Sequence, residues 1–133
     1  MPTFKLEITT PDGVVFKGDV EHVRAPGMMG SFGVLYSHTP FITPLTLGKI
    51  EIRTPDGERI YATSGGLADV RANTYLILAE TAEEVGDIDI ERAKEALERA
   101  RKRLHDPSET IDHARARAAF MRATNRLKIA KVP

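Results

Sequence analysis

The sequence predicts an α+β protein: an N-terminal antiparallel β-sandwich over residues 1–85, then a C-terminal antiparallel two-helix hairpin over residues 86–133. Three observations predict it. Short apolar stretches alternate with polar residues at period two in the first part. All ten glycines lie at or before Gly86, with all three tyrosines and four of the five phenylalanines. Beyond Gly86 the chain turns to Ala, Arg, Glu and Lys, which favour helix. The change of composition falls in residues 83–89, EEVGDID.

Phe4, Leu6 and Ile8 alternate with Lys5, Glu7 and Thr9, as in a half-buried strand, and Ile50 and Ile52 alternate with Glu51 and Arg53. The tetrapeptide Thr-Pro-Asp-Gly occurs at residues 10–13 and again at 54–57. Proline presets the second turn position and glycine takes the last, so both read as hairpin turns. Further apolar runs at 14–16, 20–23, 32–35, 60–62 and 75–79 make seven in all, and the expected count is eight or more strands. Strands this short and this closely spaced suit a sandwich or flattened barrel, since parallel pairing through helical crossovers would need longer connections.

The second part contains an internal repeat. Ile88-Asp89-Ile90-Glu91-Arg92-Ala93 returns, shifted by 23, as Ile111-Asp112-His113-Ala114-Arg115-Ala116. Asp in each copy is a good N-cap preceded by an apolar residue. Ile90, Ala93, Leu97, Ala100 and Leu104 then step by three and four, as do Ala116, Phe120, Ala123, Leu127 and Ala130. Pro107 interrupts any continuous helix. Thin alanine-rich seams bury little area, so the hairpin is expected to be weakly held and mobile.

Hydrophobic residues make up 41% and charged residues 29%, an ordinary globular balance. Without cysteine, a disulfide framework, a thiolate metal site and a cysteine nucleophile are all excluded. The N-terminus lacks a basic region followed by an apolar run, so no secretory signal is expected. No segment approaches ~18 uninterrupted apolar residues, so membrane association is expected only through partners. The formal net charge of zero hides an asymmetry: seven basic and eleven acidic residues up to Val85 give −4, leaving twelve and eight, or +4, beyond it. An acidic head with a basic tail points to two surfaces with different partners.

No active site emerges. The four histidines show no metal-ligand spacing, and Ser64-Gly65-Gly66 lacks the G-x-S-x-G context of a nucleophile elbow. Residues 27–33, GMMGSFG, lack the ending of a phosphate-binding loop, and read either as a tip exposing Met28, Met29 and Phe32 to a partner or as a tucked-in loop. The arginines carry two readings. Arg92, Arg99 and Arg103 share one helical face, and so do Arg115, Arg122 and Arg126. They form either a solvated basic face relieved by Glu95 and Glu98, or guanidinium forks converging on a polyphosphate. Asp89 is a helix cap in either case, and beside Arg92 it can also present backbone N–H groups to a ligand. Glu83 is a surface acid or an acceptor for a base amino group or ribose hydroxyl.

Gly33-Val34-Leu35 followed by Ser37-His38-Thr39-Pro40, Ser64-Gly65-Gly66-Leu67-Ala68-Asp69-Val70 and Asp87-Ile88-Asp89-Ile90-Glu91-Arg92-Ala93 together resemble motifs of the epsilon subunit of bacterial rotary ATP synthases. The likeness runs from about Phe4 to Leu127. Tyr36 and Ser37 stand where that family has Pro-Gly, Ser31 where an acid is frequent, and Asp69 where Glu is usual. The resemblance implies a non-catalytic subunit on the cytoplasmic face of the bacterial plasma membrane, with no catalytic cofactor. Its head would sit on the gamma subunit and the c-subunit ring. Its hairpin would fold, or extend towards the catalytic alpha and beta subunits and inhibit ATP hydrolysis, with ATP as a regulatory ligand of the folded form. Carried over by position, the implied ATP contacts are Glu83, Ile88, Asp89, Arg92 and Ala93, with Arg99, Arg122 and Arg126 for phosphate. Met29, Gly30, Ser31 and His38 are the implied subunit contacts. The rival reading is a stand-alone nucleotide sensor or a basic nucleic-acid-binding module, against which the head offers no basic groove with stacking aromatics.

Overall fold

A computed structural model describes residues 2–35 and 40–131. The chain divides into two compact units, Met1–Glu84 and Val85–Pro133.

The first unit holds ten strands: β1 (Phe4–Thr10), β2 (Gly13–Val20), β3 (His22–Gly27), β4 (Gly30–Leu35), β5 (Phe41–Leu45), β6 (Gly48–Thr54), β7 (Gly57–Thr63), β8 (Gly66–Arg71), β9 (Thr74–Ala79) and β10 (Ala82–Glu84). Their order is β10-β7-β6-β3-β5-β8-β9-β1-β2, with β4 on β3. One pair, Gly27 with Leu45, joins β3 to β5, where the Met28 N–H also donates to the Pro44 carbonyl at 3.2 Å and the Thr46 N–H to that of Pro26 at 2.8 Å. The sheet folds over on itself there. The inward positions then form one core, with Leu6, Ile8, Val20, Val23, Ile50, Ile52, Tyr61, Tyr75 and Ile77 each at most 2% exposed.

The two Thr-Pro-Asp-Gly segments turn β1 into β2 and β6 into β7, with Thr10 opposite Gly13 and Thr54 opposite Gly57. Each threonine hydroxyl accepts the N–H of its aspartate at 3.2 Å and faces the glycine carbonyl. The glycines take φ of +129° and +139°, a region that favours glycine over any side-chain-bearing residue. Ser64-Gly65-Gly66 is likewise structural: a Cβ on Gly66 would run into the carbonyl of Leu78, and the Ser64 hydroxyl shares a hydrogen bond with that of Thr81 at 2.8 Å.

Three local expectations need correction. The sandwich is not wholly antiparallel, because β1 runs parallel to β9, Lys5 facing Thr74 and Thr9 facing Leu78. No crossover helix is needed, since seven other strands intervene and the chain returns through the opposite layer. The run at 20–23 is two strands rather than one, ending at Val20 and restarting at His22, with the Glu21 N–H donating to the Arg53 carbonyl at 2.7 Å. Finally, β5, β8 and β10 were not among the runs read as strands.

The second unit opens with a 3₁₀ turn (Val85–Asp87), followed by α1 (Ile90–His105) and α2 (His113–Ile129). Asp89 and Asp112 cap them, accepting the N–H of Arg92 at 3.1 Å and of Arg115 at 3.0 Å. On α1 the seam is narrower than the periodicity implies. Ala93, Ala100, Ala116 and Ala123 are at most 3% exposed, whereas Leu97 and Leu104 are half-buried and Ile90 is 37% exposed. Alanine at every seventh position on both helices lets the backbones approach closely. On α2 the buried stripe continues one turn further to Leu127, 9% exposed, and Ile129 is buried as well.

Candidate nucleotide site and partner surface

The capped first turn of α1 collects four of the expected residues. Ile88 is buried, and its N–H donates to the Val85 carbonyl at 3.3 Å. Asp89 caps the helix, its backbone carbonyl accepting the Ala93 N–H at 3.0 Å. Arg92 is exposed beside the buried Ala93. Free N–H groups and the positive end of the helix dipole meet here, which suits an anion. Arg99 lies two turns further along the same face, about 10 Å by helix rise, and is exposed.

Arg122 and Arg126 stand one turn apart on α2, Arg122 exposed and Arg126 half-buried. Helices joined by so short a connection pack along one another in opposite directions. The C-terminal half of α2 therefore returns alongside the N-terminal half of α1. Glu83 lies in the other unit, on β10 opposite Ala62, half-buried. Acid relief differs from the expectation. Glu98 pairs with Arg101 at 2.8 Å rather than with the Arg99 or Arg103 guanidinium, and that hydrogen bond holds the Glu98 carboxyl below the usual range. From His113 to the end of the sequence there are six cations and no acid.

On the head, residues 28–29 form the tip of the β3–β4 hairpin, and the tip is open. Met28 is 66% and Met29 100% exposed. Met29, Gly30 and Ser31 line, with Phe32, Phe41 and Ile42, a shallow pocket of about 540 Å³ whose two rings meet edge to face at 5.4 Å. His38 lies outside the described residues, as do Ser37 and Thr39 of the same motif.

A further surface escaped the sequence reading. On the outer face of β5, β8 and β9, Ile42 opposes Asp69, Asp69 opposes Leu76, Pro44 opposes Leu67, and Leu67 opposes Leu78. Ile42, Leu67 and Leu78 are 64%, 37% and 45% exposed. The signal was present: the run at 75–79 is apolar on both faces, the mark of a strand covered on both sides rather than one.

Two family comparisons match this chain. Residues 3–85 match the ATP synthase delta/epsilon chain beta-sandwich domain, and residues 87–131 the ATP synthase delta/epsilon chain long alpha-helix domain. The ATP synthase epsilon chain of Halalkalibacterium halodurans is 44% identical over 131 residues, 98% of each chain. That of Nitratidesulfovibrio vulgaris is 45% identical over 124 residues, 93% of this chain and 92% of its own. Among solved structures, a chain of the Euglena gracilis mitochondrial ATP synthase OSCP/F1/c-ring assembly superposes with a TM-score of 0.83 at 26% identity, covering 98% of this chain and 83% of that one. A chain of the Tetrahymena thermophila mitochondrial central stalk and c-ring shares the fold, with a TM-score of 0.60 at 16% identity over 95% of each. Both units and nearly the full length agree, and the chain belongs to the ATP synthase epsilon-chain family, a non-catalytic subunit of that complex.

Proposed function

We propose that this chain couples the rotor to catalysis through its head and regulates ATP hydrolysis through its hairpin. The head docks on the gamma subunit and the c ring, at the cytoplasmic face of the membrane. Supporting this docking are the exposed Met28–Met29 tip with its pocket and the outward apolar residues of β5, β8 and β9. No described helix is long and apolar enough to cross a membrane.

The hairpin has two roles in this reading. Folded, it binds ATP at the start of α1, with Ile88, Asp89, Arg92 and Ala93 around the nucleotide and Arg99, Arg122 and Arg126 on its phosphates. Extended, its basic α2 reaches acidic surfaces of the catalytic alpha and beta subunits and slows hydrolysis. One observation carries the regulatory reading: a capped, arginine-bearing first turn is paired, through a small alanine seam, with a helix that has no acid of its own. A ligand shifts a two-state element only by its differential affinity. ATP at a hundred times its dissociation constant would favour the folded hairpin by about 2.7 kcal/mol.

Isothermal titration of the full chain with ATP, ADP and GTP, beside melting curves of the parent and Arg122→Ala, tests the reading. ATP should bind and raise the melting temperature, and Arg122→Ala should lose most of that rise. Absence of ATP heat, or an undiminished rise in the variant, overturns the nucleotide assignment.

A further inference from the structure

The connection between the helices is a built turn, not a slack linker. The Asp106 N–H closes α1 on the Arg103 carbonyl at 3.3 Å. Its carboxylate accepts the Ser108 N–H at 2.8 Å, the Ser108 and Thr110 hydroxyls share a bond of 2.8 Å, and the Ile111 N–H donates to the Ser108 carbonyl at 3.3 Å. The first residue of α2 then reaches back over all of this. The His113 ring lies 2.6 Å, through Nε2, from the backbone carbonyl of Asp106, half-buried. A carbonyl can only accept, so Nε2 carries the hydrogen and donates it.

That bond ties the end of α1 to the start of α2. It also stands where the 23-residue repeat breaks: the first copy has Ile90, 37% exposed, and the second has His113. Elsewhere the seam is mostly alanine, each of which buries little area, with Leu127 of α2 the larger exception, so one short hydrogen bond is a sizeable part of their association.

We propose that His113 is the latch of the hairpin, its bond to the Asp106 carbonyl setting how often the two helices separate. The biological meaning of the latch rests on the regulatory reading above, but opening is a property of the chain itself and is measured without the assembled enzyme. The latch acts at the closed end of the hairpin, seven residues of chain from helix to helix, so its release loosens the last turn of α1 and the first turns of α2 together.

Native-state hydrogen exchange on the full chain tests it, with His113→Ala and His113→Gln beside the parent. Helix propensity ranks Ala above Gln and Gln above His, so a residue that merely starts α2 predicts protection in Ala at least equal to Gln. The latch predicts the reverse order. In His113→Ala, amides in the last turn of α1 and the first turns of α2 should exchange roughly three- to tenfold faster, the loss of one hydrogen bond. In His113→Gln, whose side-chain amide nitrogen sits near the place of Nε2, most protection should remain. Parent-like exchange in the Ala variant, or slower exchange in Ala than in Gln, overturns the proposal. Adding ATP to the parent reads the regulatory role separately. If ATP changes no protection while His113→Ala still exchanges faster, the latch stands and the regulatory reading falls.

Discussion

Tyr75→Phe should make the head more stable. Tyr75 sits on β9 between Leu6 of β1 and Val70 of β8, 1% exposed, with its ring stacked 6.5 Å from that of Phe4. Its buried hydroxyl finds no hydrogen-bond partner among the described residues. An unpaired buried hydroxyl costs about 1–3 kcal/mol, and phenylalanine keeps the ring while removing that cost. Taking the lower end, a gain of about 1 kcal/mol raises the midpoint of a unit this size by roughly 4–8 °C. Burial also pushes the phenol above its usual value of about 10. The unfolded chain therefore gives up this proton first, and above about pH 10 it binds fewer protons than the folded state. The contribution is intact below that pH and is lost as pH rises towards the folded value. Phenylalanine carries no such loss, so the gap between variant and parent should widen in alkali. Thermal unfolding of both full chains, followed by circular dichroism at pH 7 and at about pH 10.5, reads both effects. A lower midpoint for the variant at pH 7 would mean that the hydroxyl is bonded in solution. A gap that does not grow with pH would mean that the phenol ionises as freely folded as unfolded.

Two predictions concern the hairpin. Ala100→Leu forces three extra carbons into a seam position 2% exposed, a typical overpacking cost of about 1–3 kcal/mol; exchange protection should fall throughout α1 and α2 while the strands keep theirs, and unchanged protection would show room in the seam. Stopping the chain after Val85 should raise ATP hydrolysis by the assembled enzyme under inhibiting conditions with coupling largely kept, and equal rates for truncated and full-length enzymes would refute inhibition by the hairpin.

What could be read from the sequence is what local chemistry decides. Alternation at Phe4, Leu6 and Ile8 gave a strand because one of its faces is buried, and the twin Thr-Pro-Asp-Gly turns work through their own threonine and glycine. The caps at Asp89 and Asp112 need only three residues each. What was missed depends on neighbours. Pro44 disguises β5, whose single link to β3 tolerates it, and β10 is three residues added to the edge of β7. The parallel pairing of β1 with β9 leaves no local mark. In the candidate site, the residues around Asp89 could be placed because they share one turn. The partner of Glu98 could not, because Lys94, Arg101 and Lys102 all lie three or four residues away and rotamers choose among them.

The pairing of the first strand with the ninth also sets a clock on synthesis. β2 covers one edge of β1 as soon as the hairpin turn is made, but the other edge waits for Thr74–Ala79. Some seventy residues must be added in between, roughly 4–14 s at typical rates of translation. During that interval the edge of β1 is open to foreign strands, and the head has the slow closure of a high-contact-order fold. Its last strand, β10, ends at Glu84, so the ribosome is making the hairpin when the sandwich can first shut. Charge on the waiting strand helps it through: Lys5 and Glu7 alternate with the apolar positions and interrupt what would otherwise be an uncharged, aggregation-prone run.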